Sequence, residues 1–388
     1  MKSFLRMSHI TSGITAVVVG YSSAVVIVID VARKAGADDN MIISWLFALG
    51  LGMGLTCLAF SWLTKMPVVT AWSTPGAAFL LGSVEQYRLA ECIGAFIVCA
   101  GLSLLTAQNR YLLNMISRIP PSISSALLAG ILLPICLAIF TDLDTHPILV
   151  LSFLFVYLFG SRFFPRYLML ILLALAVAAS FNMNDSLNLT IAFPTPVWVS
   201  PEFSIASTIG LAIPLFIVTT LSQNLPGIAI HHAHGYHPDH RPLLSAMAIV
   251  QGLLAPLGGF TFNLAAITAA LCMGENADKD KSQRYKAAMM AGIAYLIMAA
   301  CASIVVTLFV AMPKVVVHLL AGLALLATLQ NALVRCLDTH RHRHAATVTL
   351  LCTAAGFSFF SITSAVWGLL LGLLLLKVEQ IKKPKLEN

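Results

Sequence analysis

The chain has 388 residues, of which 59% are hydrophobic and only 10% charged; its formal net charge is +7 and its mean hydropathy +0.90. That composition excludes a single soluble domain, because the apolar surface exceeds what one aqueous core can hide. The chain reads as an integral membrane protein, and the first apolar stretch, Ile10 to Val31, is long enough to span and lacks an obvious cleavage site, so no removable signal peptide is expected.

Fourteen apolar segments follow one another, near 9 to 32, 40 to 63, 67 to 84, 88 to 107, 122 to 140, 146 to 161, 165 to 181, 204 to 230, 241 to 257, 259 to 274, 286 to 311, 314 to 335, 345 to 360 and 362 to 378. Short polar joints separate them, and several are short for a hydrocarbon layer of roughly 30 Å. Span one carries a small polar patch at mid-depth, Gly20-Tyr21-Ser22-Ser23. Span three is interrupted at its centre by Ser73-Thr74-Pro75-Gly76. A hydroxyl residue ahead of a proline reads as an N-cap followed by Pro at the first helical position, so a half-helix is expected to start in mid-membrane near Ala77. Span eight ends in TTLSQNLPG, 219 to 227, where the adjacent amides Gln223 and Asn224 need partners if buried. In span ten, Gly258-Gly259-Phe260-Thr261-Phe262 leads to Asn263, which is expected to cap a second half-helix over Leu264 to Cys272.

Two features recur at one offset. Pro121 precedes Leu-Leu-Ala-Gly at 127 to 130, and Pro313 precedes Leu-Leu-Ala-Gly at 319 to 322; the same spacing of 192 residues carries broken span three onto broken span ten. The halves, residues 1–195 and 196–388, then hold seven spans each, and an odd number per repeat forces opposite orientation in the membrane. With both termini cytoplasmic, 19 of the 23 Lys and Arg residues fall in inner segments and only Arg33, Lys34, Arg88 and Lys314 fall outside. This asymmetry supports an even span count, and it explains the positive charge without nucleic acid as a partner. The eight cysteines lie mostly in apolar segments and form no CxxC pair, which points to reduced packing residues.

Irregular backbone at membrane depth is tolerated only where protein or a watery cavity satisfies it, so two facing breaks imply a central cavity between them. Half-helix N-termini carry roughly half a positive charge and free N–H groups, suited to an anionic or hydrogen-bond-accepting solute. No Lys or Arg lies in the interior of a predicted span, so an anion at the midplane would depend on those dipoles or bind as its neutral acid. Candidate lining residues are Tyr21, Trp72, Ser73, Thr74, Gly76, Gln223, Asn224, Phe260, Phe262 and Asn263; the aromatics suit a flat apolar body.

The blocks SWLFALGLGMG (44 to 54), TAWSTPGAAFL (70 to 80), GAFIV (94 to 98), LLAGILL (127 to 133), PLFIVTTLSQNLPG (214 to 227), GGFTFNLAAITAALCMG (258 to 274) and AVWGLLLGL (365 to 373) resemble the signature blocks of the BenE benzoate/proton symporter family, over essentially the whole chain. The resemblance implies an inner-membrane aromatic-acid transporter, distantly related to the nucleobase, ascorbate and sulfate transporters. It also implies an all-α fold with a seven-plus-seven inverted repeat: a core domain of spans 1–4 and 8–11, with spans one, three, eight and ten around the substrate, and a gate domain of spans 5–7 and 12–14. The nucleobase relatives carry glutamates where this sequence places Gln223 and Asn263. The acids near the half-helix system are Asp30, Glu85, Glu91 and Glu275, of which Asp30 and Glu91 are the candidates for proton coupling, although symport of the undissociated acid would need none. The implied partners are an aromatic or organic acid, a proton and lipid, with no cofactor and no metal; a homodimer is compatible with this reading.

Three rival readings remain open at this point. An exchanger or channel for another small anion or nucleobase-like solute has the same architecture, because coupling belongs to the cycle and not to the fold. The His-rich loops 231–240 and 340–344 could bind metal or sense pH. His234 and Asp239 form an HxxxxD spacing reminiscent of membrane acyltransferases, in which the His would activate a hydroxyl.

Overall fold

The computed structural model describes residues 5–22, 24–165, 167–183, 193–360 and 362–381; Ser23 of the mid-depth patch lies outside them. The first repeat-length half holds α1 (Met7–Ser22), α2 (Val25–Lys34), α3 (Asp39–Thr64), β1 (Thr70–Trp72), α4 (Thr74–Leu81), α5 (Leu89–Gln108), α6 (Arg110–Ser117), α7 (Pro121–Thr141), α8 (Pro147–Phe163) and α9 (Leu168–Met183). In the second half, α10 (Ile205–Ser207), α11 (Ile213–Thr219) and α12 (Leu225–Ala233) form one long helix interrupted by π turns at Thr208–Ala212 and Thr220–Asn224. There follow α13 (His240–Leu254), β2 (Phe262–Leu264), α14 (Ile267–Met273), α15 (Tyr285–Ala300), α16 (Ala302–Val310), α17 (Lys314–Asp338), α18 (Arg343–Ala354), the hairpin strands β3 (Ser358–Phe359) and β4 (Ile362–Thr363), and α19 (Ser364–Ile381).

Among the described residues, six helical stretches are long and apolar enough to cross a bilayer: Met7–Lys34, Asp39–Thr64, Leu89–Gln108, Pro121–Thr141, Ile205–Ala233 and Lys314–Asp338. A seventh is added if Lys281–Ala300 and Ala302–Val310, bent by 60°, count as one span. The other sequence-expected spans contain shorter or broken helices.

Local sequence fixes where helices begin. Asp38 accepts the Met41 N–H at 2.8 Å at the start of α3, and Asp239 accepts the Arg241 N–H at 3.1 Å at the start of α13. Prolines in the first turn open α7 and α8. Packing then follows small residues. A Cβ on Gly54 would meet the Gly292 carbonyl at 2.9 Å, and one on Gly50 the Ala299 Cβ at 2.8 Å, so α3 and α15 approach backbone to backbone. Gly322 sets α17 equally close to α7, and Gly130 sets α7 against α18. Related pairs recur elsewhere: α13 lies on α5, α1 on α14, and α4 against α11.

Among the largest fully buried side chains are Trp45, Phe96 and Phe260, whose rings form one cluster with centroids 5.6 Å apart for Trp45–Phe96, 6.4 Å for Trp45–Phe260 and 6.2 Å for Phe96–Phe260. All eight cysteines are unbridged. At one end of the molecule the buried carboxylate of Asp278 accepts from Arg6 at 2.8 and 2.9 Å and bonds His9 at 2.8 Å. Burial opposes its charge, but the Asp280 N–H, His9 and Arg6 outweigh that and hold the carboxyl below the ordinary range.

Gly258 is where the aromatic cluster constrains the backbone. Its φ is +101°, and a Cβ there would sit inside the Trp45 indole. Gly258→Ala should therefore cost at least about 2 kcal/mol, from the left-handed conformation and the overpacked ring together. A melting curve of the purified variant in detergent that overlays the wild type would contradict this.

Candidate functional site

Spans three and ten meet at a two-stranded antiparallel bridge, with Thr70 opposite Leu264, Ala71 opposite Asn263 and Trp72 opposite Phe262. Each strand leads within a few residues into its short helix, so the N-termini of α4 and α14 both lie beside the bridge. A hydroxyl does cap α4, but it is that of Ser73, one residue before the hydroxyl next to the proline: its Oγ accepts the Gly76 N–H at 3.0 Å, Pro75 follows in the first turn, and the helix starts at Thr74 rather than near Ala77. Pro75 has no N–H to offer, which leaves that of Thr74 as the first-turn donor without a partner among the described residues.

The expectation for Asn263 is corrected. It is a strand residue, not an N-cap; α14 starts at Ile267 behind Ala266 with no side-chain cap. Pairing with Ala71 holds Asn263 extended, and its amide turns toward span eight instead. Its Nδ2 donates to Leu264 O at 3.1 Å and to Gln223 Oε1 at 3.5 Å, while its Oδ1 has no partner. Asn224 Oδ1 accepts the Leu264 N–H at 3.0 Å, bonding a strand donor that the bridge leaves over. Both amides stand on the Thr220–Asn224 π turn, the kind of local widening that recurs at functional sites.

Span one closes the site. Its helix breaks after Ser22, and the Tyr21 ring lies against Trp72 with centroids 5.0 Å apart at 48°. Among the described residues, the Tyr21 hydroxyl, Ser22 Oγ and Thr219 Oγ1 are buried without hydrogen-bond partners, like Asn263 Oδ1. Tyr21, Trp72, Ser73, Thr74, Gly76, Gln223, Asn224, Phe262 and Asn263 are thus grouped around one bridge. Phe260 is not among them, since its ring fills the Trp45–Phe96 cluster. Sequence reasoning noted Ser22 and Thr219 within polar stretches without naming them as lining residues and passed over Thr268, which sits 3.0 Å from where a Gly20 Cβ would be and is marked only by its hydroxyl within an apolar half-helix.

A cavity of about 750 Å³ opens beside α4. Ala78 and Phe79 form its inner wall, α7 and α17 its far wall, and Asp30, Arg33, Lys34, Lys314 and His318 also line it. Across the bridge, beside Thr106, Thr220, Asn224 and Phe262, there is room for about one water, some 20 Å³. Asp30 is half-buried and makes no hydrogen bond or ion pair among the described residues. Glu91 is engaged: its Oε2 accepts the Arg88 N–H at 3.1 Å and lies 3.7 Å from Arg88 Nε.

The sequence profile described as "benzoate membrane transport protein" (BenE) matches residues 3–378. The chain belongs to the BenE family. It is 38% identical over 363 residues to the "inner membrane protein YdcO" of Escherichia coli K12, covering 93% of each chain. It is also 36% identical over 376 residues to the "benzoate membrane transport protein" of Acinetobacter baylyi, covering 96% of this chain and 95% of that one. Among solved structures it resembles SLC26A9, with a TM-score of 0.62 at 16% identity over 98% of this chain and 66% of that longer one. The transmembrane domain of the cyanobacterial bicarbonate transporter BicA gives a TM-score of 0.55 at 12% identity, over 95% and 98% of the two chains. This BenE chain is accordingly a membrane transporter with an SLC26-like fold, and not an enzyme. The HxxxxD pair has other duties: Asp239 caps α13, and His234 Nδ1 bonds Ile230 O at 3.0 Å.

Ser73→Ala removes the α4 cap and should destabilise the protein by about 1 kcal/mol, with Ser73→Thr largely retaining it. Hydrogen exchange at the Gly76 amide reports it directly; protection unchanged in the alanine variant would show that the cap is dispensable.

Proposed function

We propose that this BenE protein imports benzoate or a similar aromatic acid with a proton across the inner membrane, as a fourteen-span, seven-plus-seven inverted repeat with cytoplasmic termini. The observation that carries the reading is the bridge: a three-residue pairing between two half-helices, flanked by a tilted Tyr21–Trp72 pair and by buried polar atoms with no protein partner. Flat aromatic walls and open donor and acceptor positions suit an aromatic carboxyl compound. The relative named for benzoate transport supports the choice of ring.

Support for the repeat comes from reciprocity at the 192-residue offset. Ala71 and its partner Asn263 are separated by that offset, and the flanking pairs exchange under it. So do the helix contacts, with α3 on α15 answered by α13 on α5, and α1 on α14 answered by α11 on α4. The grouping of α7, α17, α18 and α19 against one another supports a gate domain beside a core built on the bridge. On this reading, Tyr21, Trp72, Ser73, Thr74, Gly76, Gln223, Asn224, Phe262 and Asn263 line the site. The carboxylate lies at the α4 N-terminus, because α14 is a seven-residue helix without a cap. Phe260 serves as the packing support of the bridge. With Glu91 engaged as a cap, Asp30 is the acid left to carry the proton.

The test is uptake of radiolabelled benzoate into proteoliposomes, with and without an inward proton gradient and against protein-free vesicles. Saturable accumulation that a protonophore collapses is expected. Asn263→Leu and Gln223→Leu should each abolish binding while the protein still inserts; unchanged affinity in both would refute this placement. Asp30→Asn should keep benzoate exchange but lose gradient-driven accumulation, and Glu91→Gln should keep both. The solved neighbours carry anions, so exchange against an internal anion without any proton dependence would favour an exchanger instead.

A further inference from the structure

Basic residues are scarce on the outer side of a membrane protein. Of the four that the charge asymmetry leaves there, three, Arg33, Lys34 and Lys314, line the cavity beside α4. Lys34 is paired with Glu85 at 3.3 Å, and His318 bonds Asp142 at 3.1 Å. The Arg33 and Lys314 side chains make neither hydrogen bond nor ion pair among the described residues. They stand on different walls, Arg33 near the end of α2 and Lys314 at the start of α17. Apolar groups occupy the surface between, among them Phe79, Ile131, Pro134, Met312 and Val317. A volume of about 750 Å³ falls in the range of small-molecule sites.

We infer that this cavity is a second site, at which a flat aromatic carboxylate is captured between Arg33 and Lys314 before it reaches the bridge, and that Asp30 takes up its proton in the same cavity. The inference rests on the transport reading above. The charges facing Asp30 are Lys34, His318, Arg33 and Glu85, with Lys314 lining the same cavity from the α17 wall. With Asp30 and Glu85 ionised, the lining holds three permanent cations against two carboxylates. A proton from solvent placed on Asp30 removes one of those carboxylates and strengthens the hold on an anion. By linkage, a bound anion raises the proton affinity of Asp30 to the same extent. Proton and anion are therefore loaded together, although the bridge itself offers amides and hydroxyls and no acid.

Uptake of benzoate by oriented proteoliposomes, measured across external pH and ionic strength, tests this. Lys314→Gln and Arg33→Gln should each raise KM about tenfold with kcat little changed, and should weaken its salt dependence, the signature of lost uniform binding and steering. Lys314→Arg should restore both. Acetate, which lacks the ring, should not compete. In the wild type KM should fall as external pH falls, and Asp30→Asn should flatten that dependence. Wild-type KM and salt dependence in both Gln variants would overturn the inference while leaving transport intact. If the wild type takes up no benzoate, the transport reading fails instead, and equilibrium benzoate binding to Asn263→Leu decides the capture site alone: a weak site abolished by Lys314→Gln supports it, and no such site overturns it.

Discussion

A backbone N–H or C=O left bare in hydrocarbon costs several kcal/mol, and the β1–β2 bridge is how this chain breaks two spans without incurring that cost. Three residue pairs satisfy the strands, Ser73 satisfies the α4 turn, and Asn224 satisfies the Leu264 amide. Neighbouring elements are shaped to protect the arrangement. A Cβ on Gly227 would strike Leu264, and one on Gly76 would meet Leu215 at 2.9 Å, so the long Ile205–Ala233 helix lies directly against both strand and half-helix. The π turn widens that helix where its two amides must reach across.

Backbone satisfaction is bought at the expense of side chains. Native interiors leave few buried polar atoms unpaired. Here Tyr21, Ser22, Thr219 and Asn263 each keep one, and all four stand on elements that meet at the bridge. A hydroxyl and an amide carbonyl could have been replaced by apolar groups of similar shape at little cost to stability. Their convergence from three elements on the bridge is the physical basis for assigning recognition to this place; the aromatic cluster around Trp45 also keeps one unpaired atom, the Trp45 Nε1, but rings fill the space there.

What the sequence made legible were the features with a local cause. The Ser-Thr-Pro-Gly cap acts within one turn and forms, though from Ser73 and a few residues earlier than the proline alone suggests; the adjacent amides pair with the broken span as expected, since Gln223 and Asn224 had few other partners within an apolar helix. Asn263 misled because its cap preference is local while its conformation is set by Ala71, 192 residues away. Phe260 misled for the same reason: nothing near it in the chain announces Trp45 and Phe96. The short helices α4, α14 and α18 fall below the length needed to cross a bilayer, and each adjoins a strand or hairpin that the apolar pattern of the sequence does not announce. The cavity was visible only as an exception, in the outer basic residues that the charge count set aside.

Those exceptions bear on how the proposed site, which holds no acid, would be coupled to protons. Asp30 stands five residues beyond the start of α2, about 7 Å along its axis, and α2 continues the broken span that presents Tyr21 to Trp72. Acid and recognition surface therefore ride on one element. If the elements on the bridge move against α7 and α17 as a body, Asp30 travels with the substrate, whereas Lys314 stays behind on the opposite wall. A bare carboxylate at position 30 would have to be carried away from that cation into a closing, less polar space, and the cost of doing so falls when it is protonated. The coupling acid need not touch the substrate for this to work; it needs only to share its moving wall.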